Sequence, residues 1–228
     1  MRKATLVAWL LFLAGVGLVV WYYFATVPGS DPAVVNDAPG QAGGPQIEIT
    51  VAGEANGKVL IELFDNLAPQ HAERITRLAD EGAYDGVVFH RVIDGFMAQT
   101  GDPTGTGQGG SELPDLKEEF NPMPHIRGTV AMARAASEDS ANSQFFIVFY
   151  PRFALDKRYT NFGRVIGNMA AVDAIQRGEP PQNPTRIMQA SIASDNRPQP
   201  SMQAMPTPGP QTPGAEMTAD DLNAPLGE

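Results

Sequence analysis

The chain has 228 residues, is 43% hydrophobic, contains no cysteine and carries a formal net charge of −10. That is material for one domain with a substantial core and a further segment at each end. The missing cysteines exclude disulfides and a cysteine-linked lipid anchor, and the acidic balance argues against a nucleic-acid partner, which would need a basic face.

In chain order, Met1-Arg2-Lys3 precedes an uncharged, mostly apolar run of 22 residues, Ala4 to Ala25. About 20 such residues cross a bilayer core as a helix. The run is longer than the apolar core of a cleaved signal, and TVPGSDP after it offers no small-x-small cleavage site. Trp21, Tyr22 and Tyr23 sit where aromatic side chains meet lipid headgroups. Residues 1–25 are therefore predicted to be a retained single-pass transmembrane anchor, with a soluble, signal-cleaved chain as the alternative. Arg2 and Lys3 are the only charges before Asp31, which puts the N-terminus in the cytoplasm and the rest on the periplasmic or equivalent exterior side of the inner membrane. Residues 26–45, rich in Pro, Gly and Asp, read as a flexible linker.

The globular domain is predicted over 46–194. IEITV and KVLIELF flank EANG and open it as a β-hairpin, with Asn56-Gly57 able to supply positive φ. Pro69 starts a helix that places Ala72, Ile75, Leu78 and Ala79 on one face, leaves His71 on the polar side and ends at Gly82. VVFHRVI, GTVAMA, SQFFIVF and NFGRVI are strand candidates. A second helix is expected from Asn168 to Arg177, stopping at Gly178, and RIMQASIA closes the domain as a strand. Many short strands with two helices indicate an antiparallel barrel or sandwich capped by helices, not βαβ units. Residues 195–228 turn to Pro, Gln, Met and Thr with four acidic residues after Arg197, a composition that cannot build a core and is expected to be disordered.

Residues 105–110, GTGQGG, spell the G-x-G-x-x-G of a dinucleotide-binding loop. Such a loop needs a helix opening on the glycines. Here SELPDLKEEFNP follows, with Pro114 and no long apolar period, and no Lys-Ser/Thr completes a P-loop. The glycines are better read as allowing close approach of backbone to a ligand or to another loop.

The candidates for chemistry lie around this loop. Arg91 interrupts the apolar strand VVFHRVI, so its guanidinium is expected to point away from the core. Phe96, Met97 and Gln99 follow. Gln144 and Phe146 share one face of their strand, while Phe145 and Ile147 point to the other. A polar donor ringed by aromatic and methionine side chains makes a small apolar pocket with a polar rim. His71, His90 and His125 lack metal-ligand spacing, Asp102 before Pro103 suits a turn, and Ser143 has no histidine near it in sequence.

FHRVIDGFMAQTGDPTGTGQGG, then GTVAMARA, NSQFFI and LDKRYTNFGRV, resemble the cyclophilin family of peptidyl-prolyl cis/trans isomerases, over about Ile47 to Ile192. HIRGTVAMARA and the short loops are similar to its compact bacterial members. The resemblance implies a mainly β fold, a closed eight-stranded antiparallel β-barrel capped by two α-helices, with the active groove on its outer surface. It puts the catalytic arginine on Arg91, the proline pocket on Phe96, Met97, Phe146 and Leu155, and the polar groove on Gln99, Ala133, Arg134 and Gln144. Tyr159 stands where many members have histidine and keeps an aromatic wall. Phe153 or Ala154 occupies the region of a tryptophan found in cyclosporin-sensitive members, which puts tight cyclosporin binding in doubt.

Such a pocket suits the chemistry. Rotation about an X-Pro bond has a barrier near 20 kcal/mol because it breaks amide resonance. In the twisted state the prolyl nitrogen recovers its lone pair, and an arginine can donate to it there but not in the planar ground state. No nucleophile, metal or cofactor is needed. The expected function is isomerisation of X-Pro bonds in exported polypeptides by a monomer tethered through its N-terminal helix, the alternative being a peptide-binding module or holdase without turnover.

Overall fold

The computed structural model describes residues 43–195 and 197–198. The expected anchor, the linker up to residue 42 and most of the Pro-rich tail lie outside the described residues. Among those described, no helix is long and apolar enough to cross a membrane.

The elements in order are β1 (Gln46–Ala52), β2 (Gly57–Leu63), α1 (Pro69–Asp80), β3 (Arg91–Ile93), β4 (Met97–Thr100), β5 (Thr129–Met132), β6 (Phe145–Val148), a 3-10 turn (Phe153–Leu155), β7 (Asn161–Gly167), α2 (Met169–Asp173), β8 (Arg186–Ile192) and a last 3-10 turn (Ala193–Asp195). The strands form one eight-stranded sheet in the order β3-β4-β6-β5-β7-β2-β1-β8, with antiparallel pairings throughout. The first hairpin turns as expected, though the positive φ falls on Gly53 and Gly57.

The expected closed barrel is instead an open one. β3 and β8 are the two edges of the sheet. An isolated bridge, Val88↔Arg186, stitches the seam between them, with backbone bonds from Phe89 to Thr185 at 2.9 Å and from Ile187 to Val87 at 2.8 Å. The strand expected over VVFHRVI shortens to Arg91–Ile93. The segment running into β8 contains Pro180, Pro181 and Pro184, which have no N–H to continue a ladder. Instead, Gly178 bridges Val92 on the free edge of β3.

Alternation along the strands builds two cores. Phe145 and Ile147 of β6, Val130 and Met132 of β5, and Val92 of β3 point inward, with Ile47, Ile61 and Phe162, against the buried face of α1. Phe146 and Val148, Ala131, and Met97 point outward into a second, smaller cluster with Ala133, Leu155 and Tyr159. Strands buried on both faces read as continuous apolar runs, which is why FFIV and TVAM show no polar alternation.

Two expectations about the helices change. His71 is fully buried, not on a polar face. Ala68 gives α1 no side-chain cap. Glu119, from the loop after the glycines, accepts from the backbone N–H of Gln70 at 3.2 Å and of His71 at 3.1 Å, and pairs with His71 Nδ1 at 2.7 Å. A carboxylate is favoured at a helix N-terminus, and reaching it draws the imidazole inside. The second helix spans Met169–Asp173, not Asn168 to Arg177. Asn168, at φ 59°, caps it by accepting from Ala171 N–H. Arg177 donates to the carbonyls of Asp173 and Ile175, both at 2.6 Å, and satisfies them after the helix has ended.

Candidate active site

The register of four strands assembles the site. Arg91 of β3 lies opposite Gln99 of β4, Gln99 opposite Phe146 of β6, and Phe146 opposite Ala131 of β5. A polar-to-apolar row therefore crosses the outer face of the sheet. One step along, Ile93 lies opposite Met97, and Met97 opposite Val148. The 3-10 turn brings Leu155, and behind it Tyr159, over this row.

A pocket forms there. Phe96, Met97, Phe146 and Leu155 line it, Tyr159 closes one wall, and Arg91 and Gln99 stand at its polar side. The Phe146 and Tyr159 rings meet edge to face at 5.8 Å. Ala133 packs in the same cluster. Phe153 is 64% exposed and Ala154 is exposed, and neither lines the pocket.

Arg134 behaves differently from a groove-lining side chain. Its guanidinium donates to the carbonyls of Arg158, Ala135 and Ala136 and lies 4.9 Å from the Tyr159 ring centroid. It stacks on the ring of the tyrosine wall. Arg152 lies 5.3 Å from the ring centroid of Phe96 and donates to the Gly95 carbonyl at 3.2 Å.

The glycine run has a defined task. It opens no helix, and residues 101–128 contain none. Asp102 accepts from the backbone N–H groups of Thr104, Gly107 and Gly109 at 2.7, 2.6 and 3.1 Å. Burial alone would raise the Asp102 carboxyl, but the hydrogen bonds from Thr104, Gly109 and Gly107 outweigh it and hold the group below the usual carboxylate range. A Cβ on Gly109 would sit 2.1 Å from Asp102 Oδ1, so only glycine fits. Folded this way, the loop presents the carbonyls of Gly107 and Gly109 to Gln144 Nε2 at 2.9 and 2.8 Å. Gln144 Oε1 then accepts from Gln99 Nε2 at 2.8 Å. The backbone thus approaches another part of the protein, and a chain of hydrogen bonds runs from Asp102 to the residue facing Arg91. Beneath it, burial pushes the His90 imidazole below its usual value.

Two further residues belong to the site. Glu179 Oε2 lies 2.9 Å from Arg91 Nε. Arg74, on α1, donates to the carbonyls of Pro114 and Asn142 at 2.7 and 3.1 Å, tying the loop after the glycines to the segment that carries Gln144. Neither partnership has a signal in local sequence, since 88 and 68 residues separate Glu179 and Asn142 from their partners. Among the described residues, no group of three His, Asp or Glu side chains could hold a metal ion.

The site is thus an apolar pocket on the outer face of a barrel-like antiparallel sheet, edged by one arginine and a glutamine chain. Residues 46–192 match the family model described as cyclophilin type peptidyl-prolyl cis-trans isomerase, and the chain belongs to that family. It is similar to a probable peptidyl-prolyl cis-trans isomerase of Brucella suis, 46% identical over 158 residues, covering 62% of this chain and 81% of the relative. It is also similar to the peptidyl-prolyl cis-trans isomerase of Synechococcus elongatus, 38% identical over 141 residues, covering 61% and 92% of the two chains. Among solved structures, a cyclophilin from Hirschia baltica superposes with a TM-score of 0.61 at 27% identity, covering 68% of this chain and 76% of that one. A Cryptosporidium parvum cyclophilin type peptidyl-prolyl cis-trans isomerase, crystallised in the presence of the dipeptide Ala-Pro, superposes with a TM-score of 0.60 at 28% identity, covering 64% and 98%. The protein is a peptidyl-prolyl cis-trans isomerase.

Proposed function

We propose that Arg91 is the catalytic donor of this isomerase and that Phe96, Met97, Phe146 and Leu155 hold the substrate prolyl ring. The observation that carries this reading is the cross-sheet row, which sets the guanidinium at the polar side of a pocket whose other walls are apolar. A proline ring seated there leaves its nitrogen facing Arg91. Donation to that nitrogen is strong only when the amide is twisted and its lone pair is free, so the contact stabilises the transition state and not the planar substrate. A charge-assisted hydrogen bond of about 1.5 to 3 kcal/mol corresponds to roughly one to two decades in rate. The dry pocket and the glutamine-held backbone positions supply the remainder by orientation.

The substrates in this proposal are proline-containing segments of exported proteins. The 22-residue uncharged run after Arg2 and Lys3 supports a chain anchored in the inner membrane with its domain on the exterior side.

Two measurements test the proposal. Cis/trans exchange of an Ala-Pro peptide, followed by NMR with the full-length chain, is expected to accelerate, and Arg91→Ala to lose at least about tenfold in kcat/KM. An Arg91→Ala variant as active as the parent removes the role given to Arg91. Alkaline extraction of membranes is expected to leave the full-length chain in the pellet. Release of a shortened chain rules out the anchor.

A further inference from the structure

We infer that Glu179 is a positioning residue for the reaction, holding the Arg91 guanidinium in the plane from which its terminal nitrogens reach the prolyl nitrogen. This inference rests on the catalytic role proposed for Arg91.

The placement of Glu179 is built by the backbone. β3 is an edge strand, and its free edge is met by the segment leaving α2. Val92 and Gly178 exchange both hydrogen bonds, from Val92 N–H to the Gly178 carbonyl at 2.8 Å and back at 2.9 Å. Such a reciprocal pair puts the neighbours on either side opposite one another. Glu179 therefore falls beside Arg91, and Arg177 falls near Asp94, with Arg177 Nε 3.3 Å from Asp94 Oδ1. Two crossed ion pairs flank one backbone bridge. Gly178 has φ 147°, and a Cβ there would lie 2.6 Å from Pro181 Cα, so the turn that sets Glu179 in place requires glycine. Pro180 and Pro181 follow at once and restrict the backbone further.

The contact uses the right atom. Glu179 Oε2 accepts from Arg91 Nε, at 2.9 Å. Nε is the guanidinium nitrogen nearest the side-chain stem, so bonding it fixes the torsion about the last rotatable bond. A long side chain loses up to about 2 kcal/mol of rotamer freedom when it is ordered. When that ordering is complete in the folded enzyme, it does not add to the barrier. The Arg91 side chain is 13% exposed and that of Glu179 is 40% exposed. Water therefore screens the carboxylate's charge, and the part assigned to Glu179 is orientation.

The test uses the full-length chain. Glu179→Ala is expected to lower kcat about five- to tenfold with KM little changed, a loss at the low end for a charge-assisted bond because this one is partly exposed. Glu179→Gln keeps an acceptor without the charge and is expected to recover activity to within about twofold of the parent. In 15N NMR, the Arg91 Nε–H resonance, assigned by its loss in Arg91→Lys, is expected in the parent and in Glu179→Gln and to vanish by exchange in Glu179→Ala. In the Arg91→Lys background, Glu179→Ala is expected to cost nothing further. Glu179→Ser carries the same expectations as the alanine variant should that one fold poorly. Glu179→Ala at parental activity beside a weakened Arg91→Ala overturns this inference alone. So does a loss that glutamine fails to recover, or one that persists undiminished in the lysine background. Parental activity in Arg91→Ala removes the proposed role of Arg91 and this inference with it.

Discussion

Gly109 shows how much one hydrogen atom in place of a methyl group decides at this site. The space its Cβ would take is already filled by Asp102 Oδ1 at 2.1 Å and by Thr104 side-chain atoms at 2.8 Å. Gly109→Ala is expected to destabilise the domain by about 1 to 3 kcal/mol, as overpacking does. It should also lower kcat/KM, because the displaced loop no longer offers its carbonyls to Gln144. Urea unfolding with a parallel activity assay checks this, and a variant within about 0.5 kcal/mol of the parent would show that the loop gives way freely. Gln144→Ala removes the link between the loop and Gln99 while leaving the pocket walls in place. It is expected to cost about three- to tenfold in kcat/KM, the worth of a neutral hydrogen bond or two. In the sequence, the glycine pattern alone was ambiguous, and what resolved its purpose was its contact with Asp102 and Gln144.

At the scale of elements, the loop between β4 and β5 has no helix or strand of its own, yet it controls α1. Glu119 satisfies two backbone N–H groups at the start of α1 and the buried His71 ring together. Glu119→Ala leaves all of them without that acceptor, and an expected loss of about 2 kcal/mol follows from removing the cap and stranding the buried His71 ring. Thermal unfolding measures it, and an unchanged Tm would mean that water replaces the carboxylate. The amphipathic spacing of α1 was legible in the sequence because it is local, with Ala72, Ile75, Leu78 and Ala79 all buried. Nothing local marks His71 for burial, because its partner lies 48 residues away. The strand Met97–Thr100 carries no local signal for a related reason. Met97, Ala98, Gln99 and Thr100 are all buried, since both faces of the strand are covered, and the four residues show no alternation to read.

Across the whole molecule, titration of the histidines couples stability to pH. Burial pushes His71, His90 and His125 below the ordinary histidine value, outweighing the carboxylates Glu119 and Asp156 that pair with the first and third. With folded values depressed, the unfolded chain binds more protons below about pH 6.5. Stability is therefore complete above that pH and is lost as pH falls from the unfolded value towards the folded ones. Each histidine contributes a slope of at most about 1.4 kcal/mol per pH unit, or about 4 for the three together. Asp102, held below the usual carboxylate range, extends the loss to lower pH. Urea unfolding at a series of pH values between about 5 and 8 is the check, and a flat profile would show that the three rings are already protonated or freely solvated in the fold.

By itself, the sequence determined the mainly β class, the buried face of α1, the inward and outward residues of β6, and the residue types that meet at the pocket. These follow from periodicity, turn chemistry and motif order, which act over a few residues. Tertiary structure alone decided that the barrel stays open between β3 and β8, that α2 ends at Asp173, and that Arg91 is met by Glu179. Those outcomes depend on which distant segment packs against an edge or a helix end. A proline-rich stretch cannot extend a ladder, and the Val92–Gly178 bridge that takes its place sets a carboxylate beside the arginine. Hydrogen-bond satisfaction between segments far apart in the chain leaves no local period to be read.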